Sequence, residues 1–271
     1  MNYGKAYKKD LCNSEEVRPM TNKQVKEFAL KLLYADSEIE VISILKAAGY
    51  WDDPSAWRLY GDKEGNWSAA GNQQTFPEAS LVEKVINSVD SRLMLECLTR
   101  GINPVSDEAP ISVRDAIATF FEDRKSENDE AGVIINWPKS KRLSESSAIT
   151  ISATGDRPTR GKKTNNMSLT IADQGEGQSA RRLPDTILSL NARNKQRIRF
   201  VQGKFNMGGS GALRFCGENG FQIVISRRNP MLAKSEIAED DTADKWAVTV
   251  VRREEPSSEA GAVVHLSLIH I

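Results

Sequence analysis

Histidine is almost missing from this chain of 271 residues: there are two, His265 and His270, both close to the C-terminal end. Most of the protein therefore has no imidazole to act as general base, metal ligand or phosphoacceptor. Cysteine is scarce as well. Cys12, Cys97 and Cys216 are odd in number and far apart, which fits neither a disulfide framework nor a zinc site and agrees with a reducing cytoplasm. Neither sign of charge is in excess. Lys and Arg total 37 and so do Asp and Glu, so no global field draws the chain to nucleic acid or to a membrane surface, although a local basic patch is compatible with that balance. Long apolar runs are absent too: none approaches the ~20 residues of a membrane span. The N-terminal stretch MNYGKAYKKDLCNSEE lacks the apolar core of a secretory signal. There is no internal repeat and no low-complexity tract.

What is present reads as helices first and strands later. Val25, Phe28, Ala29, Leu32 and Leu33 recur at helical spacing over residues 22–34, behind Thr21 and Asn22 as caps. A second helix is predicted near 37–48, and residues 50–76, rich in Trp, Gly, Asp and Asn, read as a loop or strap. A long helix comes next over roughly 78–100, opened by Pro77 and closed by Gly101, and another over 111–121. Residues 122–147 are polar and charged, interrupted by VIINWP. From there the period shortens. ITISAT (149–154), SLTIAD (168–173), FQIVISRR (221–228), WAVTVVRR (246–253) and AVVHL (262–266) read as strands, the first two joined as a hairpin. This order predicts an α+β two-layer sandwich with a mixed, mainly antiparallel sheet.

Three elements carry chemistry. On the long helix, Glu83, Asn87 and Asp90 are spaced to share one face, beside an apolar stripe of Val82, Ile86, Val89 and Leu93. Carboxylates and an amide bordering a core need a partner, and a divalent cation with phosphate oxygens would supply one. A solvated helix face is the simpler alternative. Next, Asp173-Gln174-Gly175-Glu176-Gly177 directly succeeds a strand, placing a fixed acceptor beside backbone that a ligand can approach closely. An exocyclic amine such as that of adenine could donate to Asp173. Asp and Gly also make ordinary turns, so the motif alone is weak. Last comes Gly203-Lys204-Phe205-Asn206-Met207-Gly208-Gly209-Ser210-Gly211, ahead of a plausible helix start. Its N–H groups could cradle phosphates, yet it is neither a P-loop nor a dinucleotide fingerprint. A mobile surface loop would look the same.

Taken in order, the three resemble the N, G1 and G2 boxes of the GHKL superfamily, which includes gyrase B subunits, large heat-shock chaperones, MutL, MORC-type ATPases and histidine kinases. Glu83, Asn87 and Asp90 match the first box, Asp173, Gly175 and Gly177 the second, and Gly203, Gly208, Gly209 and Gly211 the third, over residues 78–265. The resemblance implies the Bergerat fold, ATP and Mg²⁺ as cofactors, and ATPase activity. It implies that Asp173 accepts the adenine amine, that Asn87 binds Mg²⁺, and that Glu83 orients or deprotonates the attacking water. Asp90 would support the helix or the adenine pocket. The segment holding Lys204 and Ser210 would be a lid over the triphosphate. Arg193, Lys195, Arg197 and Arg199, just before it, could reach phosphates or simply be solvated. A nucleotide-dependent homodimer is implied as well.

Alternative readings are a histidine kinase-like catalytic domain, opposed by the lack of His in residues 1–82, and a nucleotide-sensing pseudo-ATPase. Two departures from the family stand out. Where family members carry Thr or Ser on a late strand near the adenine-site Asp, this chain offers Ala262. The phosphate-sensing Lys that such ATPases take from a following transducer domain is also missing, so slow hydrolysis is expected. The final Leu266-Ser267-Leu268-Ile269-His270-Ile271 reads as the translation of a sequencing adapter on a truncated gene. The expected organisation is thus an N-terminal helical extension and strap (1–76), an ATP-binding domain (77–265) and an adapter-derived end (266–271). Nucleic acid or a protein client would engage domains further along the native chain, and no membrane is expected as a partner.

Overall fold

In the computed structural model the described residues are 20–60, 76–122, 131–155, 167–188, 195–203, 211–254 and 264–270. They form a mixed α/β structure with antiparallel sheets. Helix α1 (Asn22–Leu33) starts at a reciprocal cap: the Thr21 N–H donates to Gln24 Oε1 at 2.9 Å, and the Gln24 N–H reaches Thr21 Oγ1. Helix α2 (Glu38–Ala47) is capped by Ser37, and Gly49 turns the chain out of it at φ +78°. Helix α3 (Pro77–Thr99) has Pro at its first turn and Gly101 at φ +70° just past its end. Helix α4 (Val113–Phe121) is capped by Ser112. These four lie within a residue or two of the periods read from sequence.

Two later helices carry no sequence period. Helix α5 (Lys139–Ser146) has a single large apolar side chain, Leu143, itself 61% exposed, so it has no stripe to read. Helix α6 (Pro230–Glu236) is only two turns long, and its signal is a cap, the Asn229 side chain accepting the Met231 N–H at 3.1 Å, rather than a period.

The strands are β1 (Arg58–Leu59), β2 (Ile149–Gly155), β3 (Met167–Asp173), β4 (Gln222–Arg227), β5 (Trp246–Glu254) and β6 (Val264–His270). All pair antiparallel. They make a four-stranded sheet in the order β1-β6-β5-β4 and a separate β2–β3 ladder, where one mainly antiparallel or mixed sheet was expected. The register of the four-stranded sheet sets Val250 opposite Leu268 and Ile223, and β1 against Leu266 and Ser267. The β2–β3 pairing agrees with the predicted hairpin, whose connection lies outside the described residues.

Alternation along β5 divides the core. Val248 and Val250 meet Phe28, Leu32, Val41, Leu45, Tyr50 and Trp57, so α1 and α2 cover one face of the sheet. Arg252 continues that face, its guanidinium 4.5 Å from the ring centre of Trp51 and 4.0 Å from that of Trp57. Ala247 and Val251 point the other way, to Ala180 and Leu183 and to Tyr60, Leu188 and Leu213. Helices α3 and α4 share a second core in which Leu93, Cys97, Ala116 and Phe120 pack on Trp137, Phe200 and Val201. Among the described residues no helix is long and apolar enough to cross a membrane.

The long helix departs from its predicted apolar stripe. Leu93 is buried, yet Val82 is 56% exposed, while Ser80, Ser88 and Asp90 are buried instead. Ser80 and Asp90 can occupy those positions because loops supply their hydrogen-bond partners, while Ser88 donates to the Lys84 carbonyl one turn earlier at 3.3 Å.

Candidate functional site

One side of α3 serves as a ruler for the two loops. Near its start, Ser80 Oγ donates to the Gly211 carbonyl at 3.1 Å. Further along, Asp90 (1% exposed) accepts the N–H of Gln202 at 3.0 and 3.2 Å and that of Gly203 at 2.8 Å. A buried carboxylate without such donors would be costly, so Asp90 secures the entry to the glycine-rich segment. Gly203 presses on the same face. A Cβ there would lie 2.6 Å from Asn87 Oδ1, so only glycine leaves the amide in place. At the next position, the Ser91 carbonyl accepts the Glu176 N–H at 3.0 Å, and a Cβ on Gly175 would fall 2.1 Å from Ser91 Oγ. Both ends of the glycine-rich segment and the Asp173–Gly177 loop are therefore seated along residues 80–91, a rise of about 16 Å.

Asp173 ends β3 opposite Ile149 and is exposed. Its Oδ1 accepts the Gly175 N–H at 3.0 Å, the only hydrogen bond it makes among the described residues, which leaves the second oxygen available. Gly177 has φ +60° and sits where a Cβ would be 1.8 Å from the Arg227 carbonyl oxygen, so this position requires glycine twice over. Lys204, Gly208, Gly209 and Ser210 lie outside the described residues, as do Arg193 and Ala262. Beyond Gly211, where the glycine-rich segment led to the expectation of a helix, the chain makes a 3₁₀ turn, Leu213–Phe215. Arg199, read as a possible phosphate contact, donates instead to the carbonyls of Ser106 and Ala109, at 3.0 and 3.1 Å. Arg197 is exposed and Lys195 half-buried.

Glu83 is half-buried on α3, between Ser80 and Asn87, with one carboxylate oxygen withdrawn from solvent. Its neighbour Lys84 is pushed down to about 8 by burial, while the charges of Cys216 and Glu83 act to raise it. A lysine depressed in this way binds fewer protons folded than unfolded between its pKa of about 8 and its ordinary 10.5. Stability should therefore rise with pH across that window. Urea unfolding at pH 7 and pH 10 should give a gain on the order of 1–3 kcal/mol for the native chain. The Lys84→Met variant should lose that gain, and an equal rise in both proteins would refute the assignment.

Ser80, Ser91, Gln202, Arg228 and Asn229 hold the loops, and the sequence reading singled out none of them. Only the Asn229-Pro230 pair carried a local signal, that of a turn or cap. No trio of His, Cys, Asp and Glu stands together as a metal cluster among the described residues. Asn87 nevertheless offers a hard amide oxygen at the Gly203 contact, beside Glu83 on the same face. That donor set suits a cation that takes few protein oxygens and completes its shell with phosphate and water. No protein-family model matches the chain, and neither a curated protein nor a solved structure is similar to it at a significant level.

Proposed function

We propose that this chain is the ATP-binding domain of a Mg²⁺-dependent ATPase of the GHKL class, with the Bergerat fold. The observation that carries the reading is the seating of both the Asp173–Gly177 loop and the two ends of the glycine-rich segment on one side of α3. Two sequence elements far apart in the chain meet on a third, the helix that holds Glu83 and Asn87. In a phosphoryl-transfer site most of the work is positioning and charge neutralisation, and these parts are suited to it.

In this reading the free oxygen of Asp173 accepts the exocyclic amine of adenine. Gly175 and Gly177 let the loop that carries Asp173 pack directly on Ser91 and Arg227, where side chains would clash. The N–H groups of the glycine-rich segment receive phosphate oxygens. Asn87 would hold Mg²⁺, which would supply charge neutralisation to the triphosphate. Glu83 takes a proton from the attacking water. Asp90 does not touch nucleotide; it keeps Gln202 and Gly203 against the helix. The nucleotide state would be passed on through a homodimer, with nucleic acid or a protein client as the eventual target, in the cytoplasm.

Isothermal titration with ATP, with and without Mg²⁺, tests the reading. Saturable binding at micromolar to submillimolar ATP that tightens with Mg²⁺ is the expected result. An absence of heat at millimolar nucleotide in a folded protein would end it.

A further inference from the structure

The end of β4 grips the Asp173–Gly177 loop through contacts that the proposed reading leaves unused. Arg228 is 2% exposed. Its Nε and Nη2 donate as a fork to the two oxygens of Glu236, at 3.0 and 2.7 Å. Its Nη1 donates to Glu176 Oε2 at 2.9 Å and reaches the carbonyls of Glu176 and Gly177 at 3.3 and 3.2 Å. Burial opposes the charge, but the two carboxylates more than offset it and hold this guanidinium above its ordinary pKa. Arg182, 3.3 Å from Glu236, adds a second cation, so two positive charges face two negative ones.

Asn229 completes the grip. Its N–H donates to the Glu176 carbonyl at 2.8 Å, and its Nδ2 donates to the Gly175 carbonyl at 3.1 Å. Ser226 Oγ, two residues before Arg228, accepts the Gln178 N–H at 2.9 Å. The carbonyls of Gly175, Glu176 and Gly177 thus all receive donors from two consecutive residues, Arg228 and Asn229. A loop with two glycines in five residues has little stiffness of its own. An acceptor at its first position keeps one orientation only if the loop behind it is held, and small displacements of such a group are costly for recognition.

The geometry points to Arg228 and Asn229 as positioning residues that hold Asp173 in its base-accepting orientation and so set selectivity for the nucleobase, not affinity for the triphosphate. This inference rests on the ATP reading and names which part of that ligand the β4–α6 junction governs. Arg228 acts on the loop through Glu176 and Gly177, whereas Asn229 acts on it through Gly175 and Glu176.

Replacing Arg228 would strand Glu176 and Glu236 and can unfold the protein, so the deciding variant is Asn229→Asp. It keeps the oxygen that caps Met231 and replaces the side-chain donor to Gly175 with a carboxylate oxygen that repels that carbonyl. The measurement is titration of native and variant protein with Mg²⁺ plus ATP, GTP or tripolyphosphate, with thermal melts alongside. The native chain should prefer ATP over both other ligands. Asn229→Asp should lose about tenfold in ATP affinity, as expected for one partly buried hydrogen bond and the resulting misplacement. Its tripolyphosphate affinity should stay within about twofold. Arg228→Lys, which cannot reproduce the fork, should shift in the same direction and further. An equal loss for ATP and tripolyphosphate, or unchanged ATP affinity in Asn229→Asp, would overturn the inference while leaving the ATP reading intact. Failure of the native chain to bind ATP would remove both, and it shows before any variant is made.

Discussion

Glu83→Ala is expected to lower ATP turnover by about 10²–10⁴-fold, the usual contribution of a positioned general base, while ATP affinity stays within about threefold. The side chain stands on α3 between Ser80, which holds the Gly211 carbonyl, and Asn87, which meets Gly203. It is thus placed between the two ends of the segment assigned to the phosphates. A carboxylate there has little to offer the ground state, because it would repel the triphosphate unless a cation lies between them. Its benefit appears when the attacking water loses its proton. A split between kcat and Kd is therefore the diagnostic result. Release of phosphate under single-turnover conditions, measured beside a binding titration, gives both. Unchanged turnover would remove Glu83 from the chemistry and favour a protein that uses nucleotide only as a conformational ligand.

Asp173→Asn is expected to bring ATP binding below detection in a titration at millimolar nucleotide. The substitution is nearly isosteric, and the amide oxygen can still accept the Gly175 N–H now received at 3.0 Å. What changes is the free end of the side chain, which turns from an acceptor into a donor and faces the adenine amine, another donor. An unsatisfied polar pair in a closed site costs more than the lost bond alone. The variant should melt within a few degrees of the native chain, since Asp173 is exposed and supports no core. Retained ATP affinity in a folded Asp173→Asn protein would move the base-recognition site elsewhere and take the further inference about Asn229 with it.

These two experiments, and the titrations with ATP and tripolyphosphate, test different groups on the same helix and loop. The lysine beside Glu83 gives an independent check on the environment of α3. Its depressed pKa comes from burial, so the pH dependence of stability reports whether that stretch is as dry as the structure has it.

Much of this architecture was legible in the residues. Helix α1 carries both its cap and its stripe within 13 residues, from Thr21 to Leu33. The strands β4 and β5 read correctly because Val, Ile and Thr cluster there. The glycines at 175, 177 and 203 stood out in sequence, and in the structure each is a position where a Cβ would meet Ser91, Arg227 or Asn87. Helix α5 was not legible, since its one large apolar side chain faces solvent and leaves no periodic stripe. The apolar stripe expected on α3 was misread for a related reason. Hydropathy places Val82 inside and Asp90 outside, whereas the loop at Gln202 and Gly203 offsets the burial of Asp90 with its own N–H groups.

The sequence by itself determined the α+β composition, the main helix boundaries and the three motifs whose chemistry suits a nucleotide. Each of those is written within a few neighbouring residues, through caps, periods of 3.6 or 2, and glycine spacing. Only the tertiary structure decided that the motifs adjoin, that Asp90 is a buried anchor, and that Arg228 and Asn229 hold the Asp173 loop. Those pairings join residues 112 positions apart for Asp90 with Gln202 and 52 apart for Glu176 with Arg228. Hydrogen bonds at such separations leave no local pattern, because either partner, taken alone, looks like an ordinary surface group.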